Sequence, residues 1–323
     1  MMKRIVMSAT LLVTALSALS HTLPDNSWGI ISLCCAHLRA EARHGSEMVT
    51  QAIMGTPVKI IERGEEWYRI NTPDGYEAWV HEQSLALKSD EEMQQWRTSS
   101  RYIYTQVQGY AYEKIHRNAL STPMSDMVLG CIIESTGKKR HGYIEIKTPD
   151  GRTGYVHPNE VAELHKWSQQ EPDMQRLEKE ARMMMGTTYL WGGLSPKGAD
   201  CSGYSKLLYF SQGIVLLRDA SQQVTTGDVI DHTDYRNLQR GDLLFFANDK
   251  GRINHVAIYL SDGLYIHSSG YVKINSMLPK HPLYNGLTVV AARRITTAIG
   301  NEGITPIAQH EWYITQLSPI LPI

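Results

Sequence analysis

Apolar positions fall into two textures along this chain. Between residues 28 and 165 they come in short alternating runs closed by turn residues, the period-2 pattern of half-buried strands. Tyr68-Arg-Ile-Asn-Thr-Pro-Asp-Gly75 runs into Tyr76-Glu-Ala-Trp79-Val80-His81. Ile144-Glu-Ile-Lys-Thr-Pro-Asp-Gly151 runs in the same way into Arg152-Thr-Gly-Tyr155-Val156-His157. The two segments align residue for residue, so the chain carries an internal repeat. Each copy should hold five or so short strands with a tight turn at Pro-Asp-Gly. Between the copies, Ser89-Asp-Glu-Glu92 has capping-box spacing ahead of Met93 and Trp96 and predicts a short linker helix over 89–100. After Pro172 the texture changes. Met174, Leu177, Ala181 and Met184 follow in steps of three and four, which predicts a helix, with Met183–Met185 filling core. Alternation returns in Asn254-His-Val-Ala-Ile-Tyr-Leu260 and Leu264-Tyr-Ile-His-Ser-Ser-Gly270, flanking Asp262-Gly263 as a hairpin.

Strands of this length in 60–70 residues suggest small β-barrels. The two copies resemble bacterial SH3-like domains, expected over residues 28–88 and 101–165. A third domain begins near residue 170 and is expected to reach 296. The segment 297–323 has no clear period, contains Pro306, Pro319 and Pro322, and is expected to pack loosely.

Composition narrows the function classes. The chain has 323 residues, with 32 Lys+Arg against 33 Asp+Glu, a formal charge of −1. That balance argues against a nucleic-acid binder, which would show a basic surplus. A hydrophobic fraction of 42% with 20% charged residues excludes a disordered chain. Lys3 and Arg4, the apolar stretch Ile5–Leu19 and the small residues Ser17, Ala18 and Ser20 have the order of a secretory signal over residues 1–20. About 15 apolar residues fall short of a membrane span, so no stable anchor is expected. The mature chain is expected to be periplasmic or secreted. Four cysteines in this length do not make a disulfide framework, and Cys34, Cys35 and Cys131 sit in apolar runs as small core residues.

The fourth cysteine is different. Tyr189-Leu-Trp-Gly-Gly193 leads through a polar loop into Asp200-Cys201-Ser202-Gly203, and Leu207, Leu208 and Phe210 continue at helical spacing. Cys201 should therefore stand on the first turn of a helix, where the dipole favours a thiolate. A thiol nucleophile needs an imidazole to take its proton and return it to the leaving amine. His255 and His267, one on each arm of the predicted hairpin, can reach one face without being directly opposite. A zinc site built from Cys201, His255 and His267 is the rival use, but nothing supplies a closed ligand set, and no metal or cofactor is expected.

Tyr189-x-Trp-Gly-Gly, Asp200-Cys-Ser-Gly, Arg240-Gly-Asp-Leu-Leu-Phe-Phe246, Asn254-His-Val-Ala-Ile-Tyr and the later His-Ser-Ser resemble the NlpC family of papain-like cysteine peptidases. With two SH3-like domains ahead, the layout is similar to γ-D-glutamyl-L-diamino-acid endopeptidases of dipeptidyl-peptidase VI type. The resemblance implies an α+β fold, with helices packed on an antiparallel sheet behind two small barrels. It makes Cys201 the nucleophile, His255 the general base and His267 the residue orienting it, with the Tyr189 hydroxyl helping to bind the oxyanion. The implied substrate is a peptidoglycan stem peptide, L-Ala-γ-D-Glu joined to L-Lys or meso-diaminopimelate, cut after D-Glu. A free N-terminal ammonium would be held by Glu47, Asp219 and Tyr76, and Trp191, Asp200 and Ser202 would line the D-Glu side. Ala220 stands where some relatives carry a serine, so either Ser221 substitutes or one hydrogen bond to D-Glu is missing. A monomer is expected. The alternatives are a wall-binding protein built on an inactive peptidase fold, or an acyltransferase or amidase on the same scaffold. Keeping Cys201, His255, His267 and Tyr189 together speaks against the first.

Overall fold

Alternating strands that expose one face must close on themselves or on a partner to cover the other. The computed structural model, which describes residues 27–116 and 119–314, shows both solutions. The first unit has seven strands: β1 (Trp28–Ile31), β2 (Cys35–Arg39), β3 (Met48–Ile53), β4 (Pro57–Arg63), β5 (Trp67–Asn71), β6 (Glu77–His81) and β7 (Leu85–Lys88). The helix α1 (Asp90–Thr98) follows. The second unit has β8 (Arg101–Tyr104), β9 (Gln108–His116), β10 (Ala119–Val128), β11 (Ile132–Arg140), β12 (Tyr143–Lys147), β13 (Thr153–Val156) and β14 (Val161–Glu163). The first sheet has the order β3-β2-β6-β5-β4-β1-β7 and the second β10-β9-β13-β12-β11-β8-β14, the same topology seven strands later. Seven strands replace the five or so expected per copy. The additional segments are short and close the sheet, with β1 pairing both β4 and β7.

The repeated residues perform the same local task twice. Thr72 Oγ1 donates to Asp74 Oδ1 at 2.8 Å, and Thr148 Oγ1 to Asp150 Oδ1 at 2.6 Å, bracing the two turns. Gly75 and Gly151 end them at φ +77° and +90°, where a side chain would be strained. His81 Nδ1 and His157 Nδ1 then each cap a single 3₁₀ turn by accepting a backbone N–H. In α1 the capping box is formed in both directions between Ser89 and Glu92, and Met93 and Trp96 are buried.

The third unit contains α2 (Leu164–Ser168), α3 (Met174–Met183), β15 (Leu194–Ser195), β16 (Gly198–Ala199), α4 (Cys201–Phe210), β17 (Ile214–Leu216) and α5 (Ala220–Gln223). Then come β18 (Asp228–Val229), β19 (Leu243–Ala247), β20 (Ile253–Tyr259), β21 (Leu264–Ser269), β22 (Tyr271–Ser276), β23 (Val289–Arg294) and β24 (Ile304–Pro306). The main sheet is antiparallel, in the order β18-β23-β19-β20-β21-β22, with α4 packed against β20 and β21. The architecture is α+β. Asp173 caps α3, which buries Leu177 and Ala181. Of the methionine run only Met184 is core. Met183 and Met185 are exposed, because three consecutive residues at a helix end cannot share one face.

One apolar cluster runs from Trp28 and Ile53 through Ile103 and Ile132 to Leu207 and Phe210, so the three units share a core. Cys34 and Cys131 are buried in it. The segment expected to pack loosely does not do so as far as residue 314. β24 pairs with β17, Ile307 and Tyr313 are buried, and His310 Nε2 reaches the Pro73 carbonyl at 3.0 Å. Its apolar residues meet different neighbours in turn, Tyr313 against Phe210 and Trp312 against Trp28, which produces no period. Residues 315–323 and the expected signal at 1–20 lie outside the described residues.

Candidate active site

The loop before α4 and strand β3 of the first barrel build one wall between them. Gly192 sits at φ +74°, and a Cβ there would come within 2.3 Å of the Met48 carbonyl oxygen, so only glycine allows this approach. Leu194 N–H donates to Gln51 Oε1 at 2.8 Å, and the Trp191 indole N–H donates to Glu47 Oε1 at 2.7 Å. Lys206 of α4 pairs with Asp74 in the first barrel's turn at 2.8 Å. The result is a cleft of about 600 Å³ between barrel and peptidase unit.

Cys201 is the first residue of α4, and Asp200 is its cap, accepting the Gly203 N–H at 2.7 Å. The helix dipole, expected to favour a thiolate, is opposed here by burial. Burial pushes the Cys201 thiol up to about 11, reinforced by the Asp200 charge and opposed by backbone N–H bonds from Val256 and Ser202. Val256 follows His255, which places the sulfur beside the base. His255 lies diagonally across the β20–β21 ladder from His267, as pairing of Ile258 with Ile266 requires. His255 Nε2 and His267 Nδ1 are 2.6 Å apart, which leaves His255 Nδ1 for the thiol. Burial pushes His255 down to about 3, with His267 and Lys273 adding to it. Burial likewise holds His267 at about 4. Burial thus acts on the thiol and on both imidazoles in the same sense, favouring the uncharged form of each. Burial pushes Tyr189 up to about 12, with Cys201 and Asp200 contributing, so its hydroxyl remains a proton donor.

The other expected residues divide into two groups. Glu47, Tyr76, Trp191, Asp219 and Ser221 all line the cleft, as does Ala220, the departure noted above. Burial raises the Asp219 pKa against the pull of Arg218, with Asp200 and Asp74 raising it further. Burial also raises that of Tyr76, with Asp219 adding to it. An acidic, partly dry corner of this kind favours a cation. Asp200 and Ser202 reach the cleft but have another task. Asp200 Oδ2 accepts from Gly192 N–H at 2.9 Å and from Arg218 Nη2 at 2.5 Å, and Arg218 Nη1 donates to Ser202 Oγ at 2.9 Å. A carboxylate so engaged positions the loop and has no free oxygen for the substrate contact expected of it.

Arg218 is the group that sequence reasoning passed over. It is 1% exposed and also donates to Thr50 Oγ1 of the first barrel at 2.7 Å. An arginine after the apolar run Ile214-Val-Leu-Leu217 is the signal that could have marked it. Asn275 was also missed, although alternation along β22 puts it on the His267 face; its Oδ1 is 2.9 Å from His267 Nε2.

Residues 186–293 match the model of the NlpC/P60 family, and residues 36–86 that of the bacterial SH3 domain. The chain is 30% identical over 267 residues to Dipeptidyl-peptidase 6 of Lysinibacillus sphaericus, covering 79% of this chain and 93% of that one. It is 29% identical over 243 residues to the Gamma-D-glutamyl-L-lysine dipeptidyl-peptidase of Bacillus cereus, covering 70% and 68%. A crystal structure of an NlpC/P60 family protein from Bacillus cereus superimposes with a TM-score of 0.68 at 22% identity, over 83% of this chain and 99% of that one.

Proposed function

We propose that this chain, which belongs to the NlpC/P60 family of cysteine peptidases, is a cell-wall peptidase that cuts stem peptides after γ-D-Glu and releases L-Ala-γ-D-Glu. The observation that carries the reading is that Cys201 on α4 and Tyr189 line a cleft whose far wall is the acidic edge of a barrel, while the backbone N–H of Val256, next to the His255–His267 pair, bonds the Cys201 sulfur. His255 Nδ1 takes the thiol proton as sulfur attacks the carbonyl of the γ-D-Glu side chain. The tetrahedral oxyanion forms at the helix N-terminus, with Tyr189 as a donor worth roughly 3 kcal/mol. The proton then passes to the leaving α-amine of the diamino acid, and water releases the acyl group by the same route.

Glu47, Asp219 and Tyr76 suit the free ammonium of L-Ala, because a cation taken into a dry cleft needs carboxylates. The Trp191–Glu47 bond between units supports a cleft closed at that end, which selects trimmed peptides over intact wall. The barrel that shapes the cleft comes from the same chain, which supports action as a monomer, and light scattering at twice the monomer mass would exclude it. The basic-apolar-small order of residues 3–20 supports export, with use of wall fragments in recycling. An uncleaved N-terminus on protein from the exported fraction would refute that part. The function is tested by mass spectrometry of L-Ala-γ-D-Glu-diaminopimelate and its L-Lys counterpart, incubated with wild type and with Cys201→Ala. Release of L-Ala-γ-D-Glu by wild type alone is expected; no release by either protein refutes the reading.

A further inference from the structure

The geometry points to Asn275 as a positioning residue that sets the tautomer of both histidines. The hydrogen-bond chain starts from a group that has no choice. The Leu283 carbonyl only accepts hydrogen bonds, and it lies 2.8 Å from Asn275 Nδ2, so the amide nitrogen must face it. The Leu283 oxygen is itself fixed, since it also accepts the Ser276 backbone N–H at 3.0 Å. Asn275 Oδ1 is thereby turned toward His267 Nε2 at 2.9 Å. An amide oxygen also only accepts, so the proton of neutral His267 sits on Nε2. His267 Nδ1 is then a lone pair facing His255 Nε2 at 2.6 Å, and His255 must donate there. His255 Nδ1 is left bare, the only state in which this ring can take a proton from Cys201.

Reversing one link shows what the amide does. If His267 carried its proton on Nδ1, it would donate to His255 Nε2 and drive the His255 proton to Nδ1. A base protonated on the nitrogen that faces the thiol cannot accept from it. The ring of His267 is packed edge-on against Tyr265, with centroids 5.1 Å apart, so it holds its orientation whichever nitrogen is protonated. Lys273, opposite His267 in the β21–β22 register, is a cation and supplies no acceptor. Among the described residues, Asn275 is the acceptor on His267 Nε2. Register makes this possible: Asn275 pairs with Tyr265, one step along the same face from His267. The loop carrying Leu283 thus reaches the nucleophile through three polar side chains, without touching the cleft.

The consequence for turnover rests on the peptidase reading, whereas the tautomer itself does not, so two measurements separate them. The first is imidazole ¹⁵N spectroscopy of the full chain without substrate, with His255 and His267 assigned by their loss in His255→Gln and His267→Gln. Wild type should show protonated Nε2 and unprotonated Nδ1 on both rings. A His267 ring protonated on Nδ1 overturns the proposal, whatever the substrate proves to be. The second compares Asn275→Leu, which has no acceptor, with Asn275→Asp, which keeps one. In Asn275→Leu, kcat should fall roughly 10- to 100-fold, the range for removing an orienting partner, with KM within about twofold. Asn275→Asp should keep the Nε2–H form of His267 and stay within about threefold of wild-type kcat, since a carboxylate accepts more strongly than an amide. Equal kcat and unchanged tautomers in Asn275→Leu, or equal losses in both variants, reduce Asn275 to a loop brace and overturn the proposal.

Discussion

Replacing Arg218 by methionine tests whether the wall behind the nucleophile is held by charge. The guanidinium is 1% exposed and makes four bonds: two to Asp200, one to Ser202 Oγ and one to Thr50 Oγ1. Burial alone would lower its pKa, but the Asp200 charge and hydrogen bonds overcome that, so it remains a cation. Arg218→Met keeps much of the volume and leaves Asp200, 6% exposed, as a buried anion without its counter-charge. Breaking a buried pair from one side costs about 3–5 kcal/mol. Asp200 would still hold the Gly192 and Gly203 N–H groups, which places the expected loss at the low end, about 3 kcal/mol. Asp200→Asn alone strands the cation and should cost a similar amount, while asparagine remains a good helix cap. The double variant removes both charges, so its cost should fall about 2–3 kcal/mol short of the two single costs added together. The assay is urea unfolding of the full chain, read as midpoints at unchanged slope. Strictly additive costs, or an Arg218→Met variant within about 1 kcal/mol of wild type, would refute the reasoning.

Three further expectations follow from other parts of the molecule. Acetylating the α-amine of the tripeptide should abolish cleavage, because it removes the charge that Glu47 and Asp219 face; equal turnover of blocked and free peptide would sink the ammonium clamp. With His255 held near 3 and His267 near 4, neither imidazole should titrate between about pH 8 and 5, and a proton resonance of either ring moving near its ordinary value of about 6.5 would contradict their burial. The same shifts fix a sign. Between those folded values and about 6.5 the unfolded chain binds more protons, so this pair's contribution to stability falls as the pH drops through that window, levels off below it and vanishes above pH 7. Tyr313→Ala, at a ring 2% exposed and 5.9 Å from Phe210, should destabilise by about 3–5 kcal/mol, and an unchanged urea midpoint would return residues 297–314 to the status of a loose tail.

What the sequence made legible was local chemistry. Thr-Pro-Asp-Gly announces its turn because the threonine hydroxyl, the aspartate and the glycine act within four residues, and the structure repeats those bonds in both barrels. The helix under Cys201 was equally legible, since Asp200 caps it from one position away. The protonation state was not. The dipole at a helix start is visible in sequence, whereas the burial that opposes it depends on elements packed against α4, β20 and β21 among them, which are distant along the chain. The same distinction separates Asp219 from Arg218. The acid lines the cleft, where motif reasoning looked for it, while the arginine is defined by Thr50, 168 residues away, and by Asp200, 18 away.

Contacts between units account for part of what the sequence hid and bear on how the site works. Two of the misjudged features have partners in more than one unit: Arg218 with Thr50 as well as Asp200, and residues 310–313 with the Pro73 carbonyl. A peptidase unit by itself would present an open groove with Arg218 lacking the Thr50 hydroxyl and Trp191 lacking Glu47. The first barrel therefore takes part in the site. It closes the groove at the end where the acidic groups lie and completes the hydrogen bonding of the loop that carries Tyr189 and Trp191. On the proposed function, the length of peptide admitted and the position of the nucleophile depend on one interface, so a substitution in β3 should alter selectivity and turnover together.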